Sequence, residues 1–430
     1  MPGPGTGTAN RPPPVRIDDL ADPRFPPEVE EMRAGMAAMA SDVTLAPEPL
    51  LEAAAGQTGL DDFGDDGFRE RLDVLCTAMR TEAGLGPSGI VSAYAQLLQL
   101  LKNRLLVEDL LRRHPEIRAV RIEAPIIICG LPRTGTTHLH NLIAADPALR
   151  SLPYWESLEP VLPEREAPAA GAPDPRRGRT AVALEFVNTA MPYFKRMHEM
   201  TVDHVHEEIQ LLGIDFSTML FETMAPMPGW RDYYLTHDQT PHYEYLRTVL
   251  KALQWLRGGS RWVLKSPQHI EQFGPLAATF PDATFVVTHR DPVSVTTSVA
   301  TMLTYTARLS QERVDPRRLG GYWADRTERM LRACVDDRDG LPADQSIDVR
   351  FDEFMADDVA MVERIYDLAG QPVTDDARAA MQAFMVDHPR GKYGGVLYAL
   401  SDFGLDRAER RAALRFYVER FGVAEESGGG

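Results

Sequence analysis

Two short segments carry the residue types that hold an anion. The first is GLPRTGTT, Gly130 to Thr137. Its two glycines let the main chain approach a ligand closely. A helix opening inside the segment offers free N–H groups and the positive end of its dipole. Pro132 and Gly135 lie in the turn, Arg133 adds a positive charge, and Thr134, Thr136 and Thr137 add hydroxyl donors. This is the chemistry of a phosphate cradle. A nucleoside triphosphatase loop reads GxxxxGK[ST]. Gly130 and Gly135 keep that spacing, but Thr136 stands where the lysine belongs. The ammonium that bridges the terminal phosphates is missing, which weakens a kinase or ATPase reading.

The second segment is HRDPVSVTTS, His289 to Ser298. Pro292 suits the first turn of a helix. Arg290 falls at the end of a strand, and Ser294 and Ser298, four residues apart, share a helix face. Arg290 with Ser298 is suited to hold a second phosphate some distance from the first. Asp203, His204, Val205, His206, Glu207 and Glu208 read as the start of a helix. His206 titrates near neutral pH when unperturbed, and burial raises a carboxyl such as Glu207 or Glu208, so each is a candidate proton acceptor. Acids also gather at helix starts because they complement the dipole. A His-x-His pair can ligate metal, but no further ligand set accompanies His204 and His206. His138 and His140 follow the cradle and read first as packed helix residues. Met191, Phe194, Met197, Phe216, Met219 and Phe221 are suited either to an apolar pocket or to ordinary core.

The elements that must position these residues alternate. Ala124–Cys129 is a short Ile-rich run, a buried strand by length and type. Arg261–Leu264, Ala283–Thr288 and Ser346–Phe351 are similar, and each leads into a turn and a helical pattern. Strand–turn–helix recurrence predicts an α/β fold, a P-loop-like parallel sheet flanked by helices. Residues 15–123 read as a helical N-terminal extension, with Leu72, Leu75 and Met79 and the apolar residues of Leu97–Leu111 at helical spacing. About 181–258 read as a helical insertion within an α/β domain of 124–424, preceded by a Pro-rich loop from Pro163 to Arg179. Ala183, Phe186, Val187 and Ala190 form one helix face, ended by Pro192; Leu211, Leu212, Met219 and Leu220 continue the helical reading, and Gly258 and Gly259 end the helix over Tyr245–Leu256. Residues 1–14 and 425–430 read as disordered tails.

Composition narrows the partners. The formal net charge is −17, which argues against nucleic acid and anionic membrane. No apolar run approaches the roughly 20 residues that span a bilayer. Cys76, Cys129 and Cys334 are far apart, so neither a disulfide framework nor a zinc knuckle is indicated, and a reducing cytoplasm fits.

Taken together, the two anion segments resemble those of sulfotransferases that use 3'-phosphoadenosine-5'-phosphosulfate (PAPS). In that family a P-[KR]-[ST]-G-T-T loop cradles the 5'-phosphosulfate, and an Arg followed eight positions later by a Ser binds the 3'-phosphate. Pro132–Thr137 and Arg290/Ser298 match both patterns in spacing and order. Trp262–Pro267 and Phe280–Ala283 are similar to the approaches to the family's next two strands. His388–Tyr393 (HPRGKY), with Arg390, Gly391 and Lys392, sits where the family carries a basic loop over the nucleotide. Asp402–Leu405 is similar to a bacterial branch that has an N-terminal helical extension. The match runs from about residue 60 to 422. Arg133 replaces the Lys of cytosolic animal members, and Phe351 falls where some members place a Tyr near the adenine.

The resemblance implies transfer of a sulfuryl group from PAPS to a hydroxyl or amine of a hydrophobic small-molecule acceptor, giving PAP, with no metal required. Arg133 then stabilises the leaving phosphate, Lys265 serves as a second cation on the turn after its strand, and Glu207 or His206 takes the acceptor's proton. Three other readings stay open at this point: a kinase on a P-loop scaffold, a nucleotide-binding protein without turnover, and sulfation that only activates the acceptor. The N-terminal helices are suited either to cover the core or to make a homodimer contact.

Overall fold

The computed structural model describes residues 12–169 and 171–426. Most of the expected N-terminal tail (1–11), Ala170 and residues 427–430 lie outside the described residues.

Seven strands are present among the described residues: β1 (Val15–Arg16), β2 (Ile126–Cys129), β3 (Leu149–Arg150), β4 (Arg261–Ser266), β5 (Thr284–His289), β6 (Ser346–Arg350) and β7 (Val396–Leu397). Five form a parallel sheet in the order β3-β4-β2-β5-β6. β2 is buried along its whole length, as a central parallel strand with helices on both faces must be. Its residues alternate between two apolar clusters, as a two-residue repeat dictates. Ile127 and Cys129 join the larger cluster, with Leu72, Leu97 and Leu101 of the N-terminal helices and Leu250 and Leu253 of the insertion. Ile126 and Ile128 join the smaller one, with Leu139, Leu142, Val362 and Ile365. The N-terminal helices Phe68–Thr81 and Pro87–Arg113 therefore pack into the same core as the sheet.

The chain leaves β2 toward β3 on one side and leaves β5 toward β6 on the other. The crevice beyond the carboxyl ends of β2 and β5 is thus the switch point where ligands bind in open α/β sheets. Both anion segments start there.

Several expectations need correction. β1 lies at the start of the stretch read as a helical extension; it pairs with β7 over only two residues, too few to show a pattern. Lys265 lies inside β4, opposite Ile128, rather than on the turn that follows. Residues 203–208 do not begin a helix: Val205 makes an antiparallel bridge to Pro153, and the first helical turn is Ile209–Leu212. The helix expected through Leu220 breaks at Phe216, whose φ is 54°. The Pro-rich loop ends earlier than expected, because Asp174 caps a helix at Pro175–Ala190 by accepting from the Arg176 N–H at 3.0 Å. That helix stops before Pro192, and the helix Thr240–Arg257 ends at Gly258 with φ 75°, both as the sequence predicts.

Candidate active site

The cradle forms because the sequence leaves it no alternative. A Cβ on Gly130 would lie 1.9 Å from the Thr288 hydroxyl, so only glycine lets β2 and β5 approach this closely. Arg133 and Gly135 both adopt left-handed backbone, φ 72° and 88°. The turn opens the helix Thr136–Ala144, whose first turn has no side-chain cap. Those free donors and the dipole are available to an anion. Thr134 is buried, bonded to the Leu131 carbonyl at 2.7 Å and to Thr288 at 2.8 Å.

The second segment closes on the first. Arg133 Nε donates to Ser298 Oγ at 3.0 Å, and Arg290 Nη1 donates to the Arg133 carbonyl at 2.7 Å. The Arg133 guanidinium also donates to the Met197 carbonyl. Arg290 lies over the Phe351 ring, 4.1 Å from its centre, and that ring also flanks Gly135. Asp291 caps the helix Pro292–Ala307 and pairs with Arg411, not with Arg290. Arg290 instead pairs with Glu426, a residue expected in the C-terminal tail.

On the other side of the cradle, Lys265 Nζ is 2.5 Å from Glu207 Oε1 and 3.4 Å from Thr137 Oγ1. Lys265 is only 2% exposed. Because β3 pairs with β4 only at Arg261 and Trp262, the N–H of Lys265 faces past the end of β3. Glu208 Oε2 accepts it at 2.9 Å, and Glu208 Oε1 accepts from His269 Nε2 at 2.5 Å. His269 Nδ1 contacts the Tyr243 hydroxyl at 2.8 Å. Burial pushes that phenol well above its ordinary range, so it keeps its proton. Glu208 is fully buried. The adjacent Glu207 keeps a fifth of its side chain exposed.

Four imidazoles surround Lys265. Burial first, and then neighbouring positive charge, pushes His140, His198, His204 and His206 below the usual histidine range, His204 to about 3. All four are therefore neutral at neutral pH. Both ring nitrogens of His206 are buried without a partner, and the ring lies 4.6 Å from that of Tyr154. Among the described residues, no three His, Cys, Asp or Glu side chains are grouped to hold a metal.

The remaining sequence-predicted residues sit apart. Arg390 pairs with Asp358 and donates to the Met355 carbonyl at 3.1 Å, and Lys392 reaches the Asp387 carbonyl at 3.4 Å. His138 meets the same Asp358 at 2.8 Å and packs against Phe354 and Phe384. The loop of Arg390, Gly391 and Lys392 therefore touches the cradle helix through Asp358. It lines a small basic cleft with Lys195, Arg196 and Tyr393. Reading the sequence missed Glu208 as a buried anchor, and also His269, Tyr243, His198 and Glu426. The available signal was His269, four residues beyond Lys265.

A parallel sheet with an anion cradle at its switch point defines a P-loop-like α/β protein. The model of the sulfotransferase family matches residues 125–375, more than half of the chain, and the chain belongs to that family. It is similar to the solved structure of sulfotransferase STF1 from Mycobacterium tuberculosis H37Rv, at 30% identity over 87% of this chain and 97% of that one, with a TM-score of 0.74. It is also similar to sulfotransferase STF9 from Mycobacterium avium, at 25% identity over 90% and 99% of the two chains, with a TM-score of 0.80. No curated protein matches the chain. The family resemblance read from the two anion segments holds, and the kinase reading is not favoured. No helix among the described residues is long and apolar enough to cross a membrane.

Proposed function

We propose that this sulfotransferase uses PAPS as donor and passes the sulfuryl group to a hydroxyl or amine of a hydrophobic small molecule, releasing PAP in the cytoplasm. One observation carries the reading. The cradle and the Arg290/Ser298 pair, 157 and 165 residues from Arg133 in sequence, meet through Arg133 at the switch point. That donor set fits a nucleotide bearing two separated anionic groups. The uncapped cradle N–H groups with Thr136 and Thr137 hold the 5' end, and Arg290 with Ser298 holds the 3'-phosphate. Arg390, Gly391 and Lys392 border the nucleotide.

The donor supplies the sulfuryl group and a phosphate leaving group. The chain supplies charge and geometry. Arg133 and Lys265 place positive charge on opposite sides of the cradle, where negative charge grows in transfer. Glu207 is the proton acceptor. Its carboxylate is reachable from outside, and Lys265 holds it in position. His206 is the second candidate, because its ring nitrogens are unpartnered. The neighbouring Phe194 and Met197, on the insertion, border the acceptor.

Thermal stabilisation by PAP tests this, with ATP and ADP as controls, in wild type and in Arg290→Ala. A rise specific to PAP and reduced by the substitution supports the reading. No rise with PAP, or a larger one with ATP, overturns it.

A further inference from the structure

Arg290 already carries an anion from its own chain. Both oxygens of the Glu426 carboxylate meet its guanidinium, at 2.6 Å from Nε and 2.9 Å from Nη2. This is the two-point fork that an arginine offers a phosphate. The remaining nitrogen, Nη1, is held by the Arg133 carbonyl, and the flat face lies on Phe351. The carboxylate therefore covers the Nε/Nη2 edge, the edge not taken by the chain's other contacts.

The main chain at Glu426 is fixed independently of its side chain. Its N–H donates to Asp291 Oδ2 at 2.8 Å, and its carbonyl accepts from Arg407 at 2.6 Å and Arg411 at 3.2 Å. Asp291 opens the helix that carries Ser298, so the anchor belongs to the anion site itself. The carboxylate is delivered beside Arg290 at high effective concentration. Yet the two side chains remain 23% and 34% exposed. A pair this open to water is weak and exchanges easily.

We propose that Glu426 is an internal competitor for the phosphate subsite at Arg290. Its carboxylate occupies the arginine fork in the free protein, a 3'-phosphate displaces it, and it returns as the nucleotide leaves. Every nucleotide that needs Arg290 must first break this pair. Apparent affinity falls by the fraction of molecules whose fork is free, and recapture of departed PAP is slowed because the vacated fork finds a new partner at once. The inference rests on the reading of Arg290 as the 3'-phosphate site.

The test is calorimetric titration of the full chain with PAP and with 5'-AMP, which lacks the 3'-phosphate. Wild type, Glu426→Gln, Arg290→Ala and the double variant are compared. Glu426→Gln is expected to tighten PAP by roughly 3- to 5-fold, the upper end for a solvent-exposed ion pair, and to leave 5'-AMP within about 1.5-fold. PAP association, followed by stopped flow, speeds up in proportion. In the Arg290→Ala background the same substitution has no further effect, as expected when two residues act on one contact. Equal PAP affinity in wild type and Glu426→Gln overturns the competitor while leaving the nucleotide reading intact. Equal tightening of PAP and 5'-AMP also overturns it, because removing a nearby negative charge then explains the gain. Absence of PAP binding in every form overturns the nucleotide reading itself and the competitor with it.

Discussion

Lys265 and Arg290 stand on two sides of one cradle and are held in opposite ways. Lys265 is 2% exposed, lies inside a strand, and faces Glu207 in a surrounding of neutral imidazoles. Its neighbour Glu208 is wholly buried and tied to the strand and to His269. Arg290 is partly open to water, and its partner comes from a segment 136 residues away. A buried ion held by fixed donors needs no rearrangement when charge develops nearby, which suits a chemical step. An exposed pair breaks and reforms at small cost, which suits capture and release. Under the proposed function, the difference separates rigid transfer chemistry from exchangeable binding, and the burial of each charge is what distinguishes the two tasks.

Substitutions can break this contrast, and the largest effect falls on the buried side. Lys265→Met should slow sulfuryl transfer by about 10²- to 10³-fold, the usual effect of removing one preorganised charge or donor. PAP affinity should change little. The check is PAP production from PAPS with an acceptor turned over by wild type, alongside PAP titration; a large loss of PAP binding would instead place Lys265 on the exchangeable side. Glu208→Ala leaves the Lys265 N–H and His269 without their buried acceptor and should destabilise the fold by about 2–4 kcal/mol in urea unfolding. Gly130→Ala forces β2 and β5 apart at Thr288 and should cost about 1–3 kcal/mol, with PAP binding weakened as well. Glu426→Ala, on the exposed side, should change stability by less than about 1 kcal/mol. A loss as large as that of Glu208→Ala would erase the distinction.

Acid sharpens the same contrast. His204 titrates at about 3 in the folded chain, because burial and then Lys265 disfavour its charged form. Unfolded, it titrates near 6.5. The unfolded state therefore binds the extra proton between these values, and stability falls as pH drops from about 6.5 toward 3. His140, His198 and His206 shift in the same direction. Melting temperature should decline over that window in wild type and decline less steeply in His204→Gln. Parallel curves would mean that this imidazole is not the proton-linked group.

The strand–turn–helix geometry of the two anion segments was legible because its signals are local. Gly130–Thr137 and Arg290/Ser298 each follow a buried strand and open a helix, and spacing along the chain sets both geometries. The partners of Lys265 were less legible. Asp203–Glu208 has the acids of a helix start, yet Val205 is drawn into a bridge with Pro153, a contact that no local preference encodes. β3 was invisible because two residues carry no periodicity. Its shortness in turn leaves the Lys265 N–H for Glu208, so one unseen strand concealed the role of the neighbouring acid. The Glu426–Arg290 pair depends on where the last helix delivers the chain, which composition alone does not indicate.

The brevity of β3 also bears on how molecules of this protein meet one another. An open sheet edge invites another chain to add a strand. Here one edge is only two residues long, and its natural continuation along β4 is stopped by the Glu208 carboxylate. The opposite edge, β6, is guarded by Arg338, which grips Asp348 and Ser346. The β3 margin therefore offers no row of free main-chain groups, and the β6 margin carries a charged cluster, so both edges disfavour fibrous, edge-to-edge self-association.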